Sequence, residues 1–239
     1  MVTGEDAARD GAGVLFIATG EIHVEAARRA ALSVRRLNPS LRLGLFSDLR
    51  PSDGVFDDWS RVTDPHERSK VDFLPRTPYR DTLYLDTDVR VVADLGDMFR
   101  LLERFDFALA QVVRWQKAFY QRSWIEDVPS SFPQHNGGVI LYRSTPEVIA
   151  FFEAWRDNYH EAGFKEDQVT LRELLWTTPL RLATLPPQFN MRSYTLIDRL
   201  FSQRADPRIL HLTKYNPGKG GVVDRLFGPV RRALSGPHD

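Results

Sequence analysis

Cysteine is absent from the 239 residues, which removes disulfides, thiolate metal sites and cysteine nucleophiles together and fits a reducing compartment. An excess of charge is absent too, since 32 basic residues balance 32 acidic ones. No global field therefore draws in nucleic acid or an anionic membrane, and no nucleic-acid partner is expected. No apolar run approaches the length a bilayer core demands, so no integral membrane segment is expected. The polar, acidic stretch 1–13 lacks the apolar centre of a secretory signal, and a soluble cytoplasmic protein is the expectation. Internal repeats and low-complexity tracts are missing as well. What is present is 42% hydrophobic and 27% charged residues, enough for one sizeable core. The expected organisation is a flexible tail over 1–13, a single domain over 14–220 and a basic C-terminal tail over 221–239.

Residues 14–20 form a short apolar run ending in a turn signal, which predicts a buried first strand. Residues 24–37, rich in Ala and Arg, predict a helix stopped by Asn38-Pro39. Residues 41–46 predict a second strand, and strand, helix, strand at this spacing is a βαβ unit with parallel pairing. Helices are predicted over 67–74, 94–104, 146–159 and 167–176, and strands over 82–92, 107–110, 138–142, 182–185 and 209–212. In the 146–159 helix, Val148, Phe151, Phe152 and Trp155 recur at helical spacing, the mark of a core-facing stripe. Residues 111–134 mix Trp115, Phe119, Tyr120 and Trp124 with charges and prolines, a composition that suits an ordered loop over a site. The sum is an α/β sandwich with an open, mostly parallel sheet. Such sheets bind ligands beyond the carboxyl ends of their strands.

Asp86 and Asp88 interrupt the apolar run 82–92. Alternation along an extended chain places both carboxylates on one face and Thr87 on the other. Like charges side by side are costly to bury unless a cation compensates them. A hydrated divalent metal holding a diphosphate meets that need; two solvated aspartates at a strand end are the plainer alternative. The triplet alone is common by chance, and the strand leading into it supplies its weight.

Four further signals bear on the choice. Arg68 and Lys70 precede the acidic strand, where they either meet phosphate or sit in solvent. His135-Asn136-Gly137-Gly138 leads into a strand; the glycines allow close backbone approach and Asn136 offers donor and acceptor to hydroxyls, or the segment is an ordinary turn. Asp167 opens a helix, where local sequence favours an N-cap. His211 lies in a late apolar run followed by Lys214 and Lys219. Its imidazole can complete an oxygen-rich metal site that favours manganese over calcium, the lysines can hold phosphate oxygens, and a core histidine is the alternative.

Arg68-Ser69-Lys70, the segment 78–88, Asn136 with the residues to 141, Asp167-Gln168, the segment 185–190 and His211 together resemble the GT-A-fold nucleotide-diphospho-sugar glycosyltransferases, most closely the family-8-like retaining type. The resemblance runs over about 14–220. It implies a Rossmann-like GT-A sandwich whose central, mostly parallel mixed sheet is flanked by helices. It implies a divalent metal, Mn2+ or Mg2+, held on the donor diphosphate by Asp86 and Asp88 with His211 as third ligand. Thr19 and Gly20 match the loop that contacts the nucleotide, and Arg68 and Lys70 match basic residues near the phosphates. Asn136 and Gly137 take the place beside the transferred sugar, Asn190 also falls on the donor side, and Asp167 with Gln168 matches the pair flanking the reacting sugar. Lys214 and Lys219 stand where phosphate contacts are expected, although the loop reads Lys-Tyr-Asn-Pro-Gly-Lys where relatives carry Gly-x-x-Lys-Pro. Phe189-Asn190 likewise replaces Trp-Asn.

The implied activity is metal-dependent transfer of a sugar, UDP-linked, to an acceptor hydroxyl with retention. The acceptor stays open among saccharide, peptide, lipid and small molecule. The alternatives are a catalytically inactive nucleotide-sugar-binding protein and a sugar nucleotidyltransferase. The second is disfavoured because Gly11-Ala12-Gly13 precedes the first strand instead of following it.

Overall fold

The strands at the centre of the sheet show no alternation: β1 (Ala12–Ala18), β2 (Arg42–Ser47) and β4 (Asp81–Leu85) are buried on both faces nearly throughout. Such runs belong to sheets covered on both sides. The computed structural model describes residues 9, 11–112, 122–192, 206–212 and 215. The edge strand β3 (Asp58–Arg61) and the strands β6 (Phe107–Gln111), β7 (His135–Arg143) and β8 (Leu182–Leu185) complete a seven-stranded sheet ordered β3-β2-β1-β4-β7-β6-β8. Pairing is parallel between β1 and its neighbours β2 and β4, between β2 and β3, and between β6 and β8; β7 alone runs antiparallel to both its neighbours. A small antiparallel pair, β5 (Arg90–Val91) with β9 (Ile209–Leu210), lies apart from it.

Helices cover both faces. The helix α1 (Glu21–Leu37) turns Val24, Ala27, Ala30, Ala31 and Val34 onto Val14, Phe16, Leu43 and Leu83. It stops at Asn38, whose side-chain oxygen accepts the Leu95 N–H at 2.8 Å, and Pro39 cannot continue the ladder. The short α2 (Lys70–Phe73), α3 (Pro146–Ala162) and α4 (Gln168–Thr177) line the opposite face, where Trp155, Phe152, Leu171 and Val71 meet Leu15, Tyr84, Leu109 and Ile140. Thr145 and Pro146 open α3, and Gly163 closes it in the left-handed region with φ 63°. Trp155 is fully buried, and a side chain of that size contributes about 3–5 kcal/mol by truncation.

Several expectations are corrected. The run 82–92 is not one strand: β4 ends at Leu85, residues 87–88 turn, and β5 begins at Arg90. A carboxylate without a partner is costly inside a sheet covered on both faces, and the chain leaves the sheet at Asp86. The segment 94–104 forms a 3-10 helix, Gly96–Glu103, instead of an α-helix. Strand β3 escaped notice because Asp58–Arg61 has no apolar pattern; Trp59 holds this edge by donating its indole N–H to Ser47 Oγ at 2.9 Å. Residues 122–134 of the aromatic segment dock on α4, and none of them lines the cleft. Glu173 accepts the Trp124 and Ile125 N–H groups, and the Arg172 guanidinium donates to the Pro129 carbonyl at 2.7 Å and the Phe132 carbonyl at 3.2 Å. Trp115, Phe119, Tyr120 and both expected tails lie outside the described residues, Arg9 and Gly11–Gly13 apart. Among the described residues no helix is long and apolar enough to cross a membrane.

One irregularity positions the site. Leu109 pairs with Ile140, yet the next residue, Ala110, pairs with Asn136. The residues of β7 in between bulge, and Gly137 and Gly138 lie in that bulge.

Candidate active site

The carboxyl ends of β1 and β4, the bulge of β7, the segment before α2, the start of α4 and the residue after β9 surround a cleft of about 580 Å³. That is the size of a small-molecule site, placed where open α/β sheets bind ligands.

Asp86, Asp88 and His211 meet there, with one ligand atom of each lying within 4.8 Å of the others. His211 Nε2 stands 3.0 Å from Asp88 Oδ1 and 3.9 Å from Asp86 Oδ2. Convergence comes from the turn after β4 and from the pairing of β9 with β5, not from alternation along a continuous strand. The Tyr84 hydroxyl donates to Asp86 Oδ1 at 2.7 Å. Burial, then the nearby Asp86 charge, pushes this phenol well above its ordinary pKa, so it remains a donor. The Asp86 N–H donates to the Gly138 carbonyl at 2.8 Å. A Cβ at Gly138 would lie 2.5 Å from His211 Cε1 and 2.6 Å from Asp86 Oδ2. Only glycine fits.

Behind the imidazole runs a buried chain of amides. His211 Nδ1 lies 2.8 Å from Asn190 Oδ1, Asn190 Nδ2 donates to Asn136 Oδ1 at 3.0 Å, and that oxygen also accepts the Gly138 N–H at 3.0 Å.

Beside the acidic pair sits a second charged group. Asp167 is 2% exposed. It occupies the N-cap position of α4, yet its side chain makes no capping bond there. Its Oδ2 lies 2.9 Å from Lys70 Nζ and its Oδ1 3.7 Å from Arg68 Nε, while its carbonyl accepts the Trp155 indole N–H at 3.0 Å. Burial pushes this carboxyl up, but Lys70 and Arg68 together outweigh burial and hold it below the ordinary carboxylate value. Burial pulls the Lys70 ammonium down, and Asp167 followed by Asp86 more than restores it. Both groups are therefore charged. Lys70 also donates to the Gly137 carbonyl at 3.0 Å and stands 3.8 Å from Asp86 Oδ1, which joins the two groups.

Of the residues singled out by sequence, Thr19, Arg68, Lys70, Asp86, Asp88, Asn136, Asp167, Gln168 and His211 line the cleft. Gly20 turns away: its N–H donates to the Asp48 carboxylate at 3.0 Å as α1 begins. Gly137 meets Lys70 through its carbonyl. Asn190 is buried behind His211 and does not border the cleft. Lys214 and Lys219 lie outside the described residues. Tyr84, His23, His66 and Arg192 also line the cleft and were not foreseen. Tyr84 was detectable, because strand alternation puts it on the face that leads to Asp86. The other three carry no local signal.

A further histidine–carboxylate group, His66, Asp72 and His160, stands beside the cleft, again with ligand atoms within 4.8 Å. Its wiring differs. The Arg68 N–H donates to His66 Nδ1 at 3.2 Å, so the neutral ring carries its proton on Nε2 and donates it to Asp72. His160 Nε2 approaches the other Asp72 oxygen at 2.7 Å.

A mixed seven-stranded sheet with one reversed strand, flanked by helices, is the GT-A fold. Solved structures with this fold include the galactosyltransferase LgtC in complex with donor and acceptor sugar analogues. It shares 16% identity, the match covers 96% of this chain and 98% of that one, and the TM-score is 0.59. Mouse xyloside xylosyltransferase 1 in its apo form shares 14% identity over 84% of this chain and 97% of its own, with a TM-score of 0.53. The glycosyltransferase GlyE of Streptococcus pneumoniae TIGR4 shares 19% identity over 84% of this chain, at a TM-score of 0.55, but only 55% of its own length is spanned. No curated protein sequence matches. Residues 80–226 match the nucleotide-diphospho-sugar transferase family, and the chain belongs to it.

Proposed function

We propose that the protein transfers a sugar from a nucleoside-diphosphate donor, UDP-linked, to an acceptor hydroxyl with retention, and that it uses a divalent cation, Mn2+ before Mg2+. One observation carries the reading: Asp86, Asp88 and His211 converge within 4.8 Å at the carboxyl edge of the sheet, with Lys70 Nζ 3.8 Å from Asp86. Two carboxylates and one imidazole make a donor set that suits Mn2+ and tolerates Mg2+. When bound, such an ion supplies Lewis-acid stabilisation of the departing diphosphate.

The remaining work falls to the chain itself. Lys70 sets a fixed positive charge beside the leaving oxygens, where a preorganised charge stabilises the transition state without reorganisation. Tyr84 holds the Asp86 carboxylate in one orientation. Asp167, kept ionised by Lys70 and Arg68, offers negative charge to the oxocarbenium character that develops on the sugar, as carboxylates do in glycosidases. Gln168 offers its amide beside it, and Asn136 and Gly137 border the sugar. Thr19 forms the nucleotide end, with Gly20 starting α1 behind it, and the family likeness assigns phosphate contacts to Lys214 and Lys219. Retention rests on the likeness of the Asp167-Gln168 pair to retaining relatives.

Thermal melting across a panel of nucleotide sugars, with and without Mn2+, tests this. A donor at a hundred times its Kd should stabilise the fold by about 2.7 kcal/mol, only with the metal, and the same donor should release nucleoside diphosphate on adding acceptor. Metal-independent stabilisation would overturn the cation. Metal-dependent binding without release across a panel of acceptors would favour a binding protein instead.

A further inference from the structure

We propose that Asn190, itself oriented by Asn136, is a positioning residue that fixes the ring tautomer of His211 and thereby sets how tightly the acidic pair holds a cation. The inference rests on reading Asp86, Asp88 and His211 as a cation site, and deepens it.

The deduction starts from a backbone group whose chemistry is beyond doubt. The Gly138 N–H can only donate, and it lies 3.0 Å from the Asn136 side-chain atom facing it. That atom is therefore the amide oxygen. The Asn190 amide approaches the same oxygen at 3.0 Å, so it must present its NH2 group there. With its nitrogen committed, Asn190 has only its oxygen left to face His211 Nδ1, at 2.8 Å. An amide oxygen accepts and never donates, so Nδ1 carries the ring proton. A neutral imidazole has one N–H, and Nε2 consequently presents a lone pair to Asp88 Oδ1, 3.0 Å away, and to Asp86 Oδ2, 3.9 Å away.

Asp86 Oδ2, Asp88 Oδ1 and the Nε2 lone pair then converge as a donor set that a divalent cation takes. The amide chain is buried: Asn136, Asn190 and His211 are 6%, 4% and 3% exposed, and Asn190 does not border the cleft. Turning Asn190 over would set two acceptor oxygens against each other at Asn136. Backbone bonds hold the frame, with the His211 N–H donating to the Met191 carbonyl at 2.9 Å and the Met191 N–H to the Ile209 carbonyl at 2.9 Å. Asn190 and Asn136 thus act on the cation without touching it, through the far nitrogen of its imidazole. Such partners of metal-bound histidines fix tautomer and ring orientation.

Long-range nitrogen–proton correlation spectra of the metal-free protein, at a pH where the ring is neutral, read the tautomer directly. The expected wild-type pattern for His211 is a pyrrole-type Nδ1 and a pyridine-type Nε2. Asn190→Leu removes the acceptor, so the proton should move to Nε2, where Asp88 attracts it. Mn2+ affinity, read by the electron paramagnetic resonance of free Mn2+, should then fall by about 10–100-fold. Asn136→Asp keeps the accepting oxygen and should keep the wild-type tautomer. An Nε2–H tautomer in the neutral wild-type ring overturns the proposal whether or not any variant folds. So does an Asn190→Leu protein with unchanged tautomer and unchanged Mn2+ affinity. An Nδ1–H tautomer in a wild-type chain that binds no Mn2+ overturns the cation reading and upholds the positioning by Asn190.

Discussion

The group Asp86, Asp88 and His211 and the group His66, Asp72 and His160 are built from the same two residue types, and in each the ligand atoms lie within 4.8 Å. Each also takes its orientation from a backbone N–H. At His66 the Arg68 N–H donates straight to the ring, which sends the ring proton towards Asp72 and closes the group with hydrogen bonds. At His211 the Gly138 N–H acts through two amide side chains, and the relay proposed above leaves a lone pair towards the carboxylates. Exposure follows the same division: the His211 side chain is 3% exposed and that of His160 50%. On the proposed reading, the parity of the hydrogen-bond relay decides which group takes an ion, and composition does not.

The comparison breaks most sharply at the acidic pair. Asp88→Ala should remove Mn2+-dependent nucleotide binding and lower turnover by about a thousandfold or more, the several kcal/mol a Lewis acid supplies. His160→Ala should leave Mn2+ affinity unchanged. Isothermal titration with Mn2+ and nucleotide checks both, and loss of affinity in the second variant would refute the distinction.

Lys70, on the helix that also carries Asp72, gives the next largest effect. Lys70→Met strips the buried Asp167 of its nearest cation and should cost about 3–5 kcal/mol. The pH dependence should also change sign. In the wild type the Asp167 carboxyl lies below its ordinary value of 3.8, so its contribution is fully present above that value and is lost as pH falls through the depressed one. In the variant burial dominates, the carboxyl rises, and its contribution should decline as pH rises instead. Urea midpoints across the acid range will show which slope holds.

Gly138→Ala tests the narrow wall between relay and cation. Its Cβ would sit 2.5 Å from His211 Cε1, so overpacking of about 1–3 kcal/mol is expected. Mn2+ affinity should fall by about tenfold or more as the imidazole is displaced. Smallest is Asp72→Asn, which weakens a partly exposed clasp and should cost no more than about 1 kcal/mol while Mn2+ affinity stays at the wild-type level. Denaturation curves and Mn2+ titrations on the two proteins compare them directly.

Much of this was legible along the chain, and the limits have physical causes. Both central strands of the βαβ unit, α1 with its stop at Asn38, and β8 followed from apolar runs and turn residues. The acidic pair was legible as a pair, although its geometry was not, because a turn and a strand are distinguished by what the sheet can cover. Asp167 read as a cap because local sequence cannot see Lys70 reaching it from α2. Asn190 read as a donor contact because the orientation of a buried amide depends on Asn136, separated by 54 positions. The clasp of His66 and Asp72 with His160 joins α2 to α3 across 88 positions and left no periodic trace.

The reversed course of β7 has a consequence for how such a protein diversifies. Since β6 ends and β7 begins on the ligand edge, the segment between them departs from and returns to the same rim, like the two ends of a handle. Its length and composition can be rewritten without altering a single strand pairing. The rim beside the cleft can therefore be remodelled while the strands that lead to Asp86 and carry Asn136 keep their pairing.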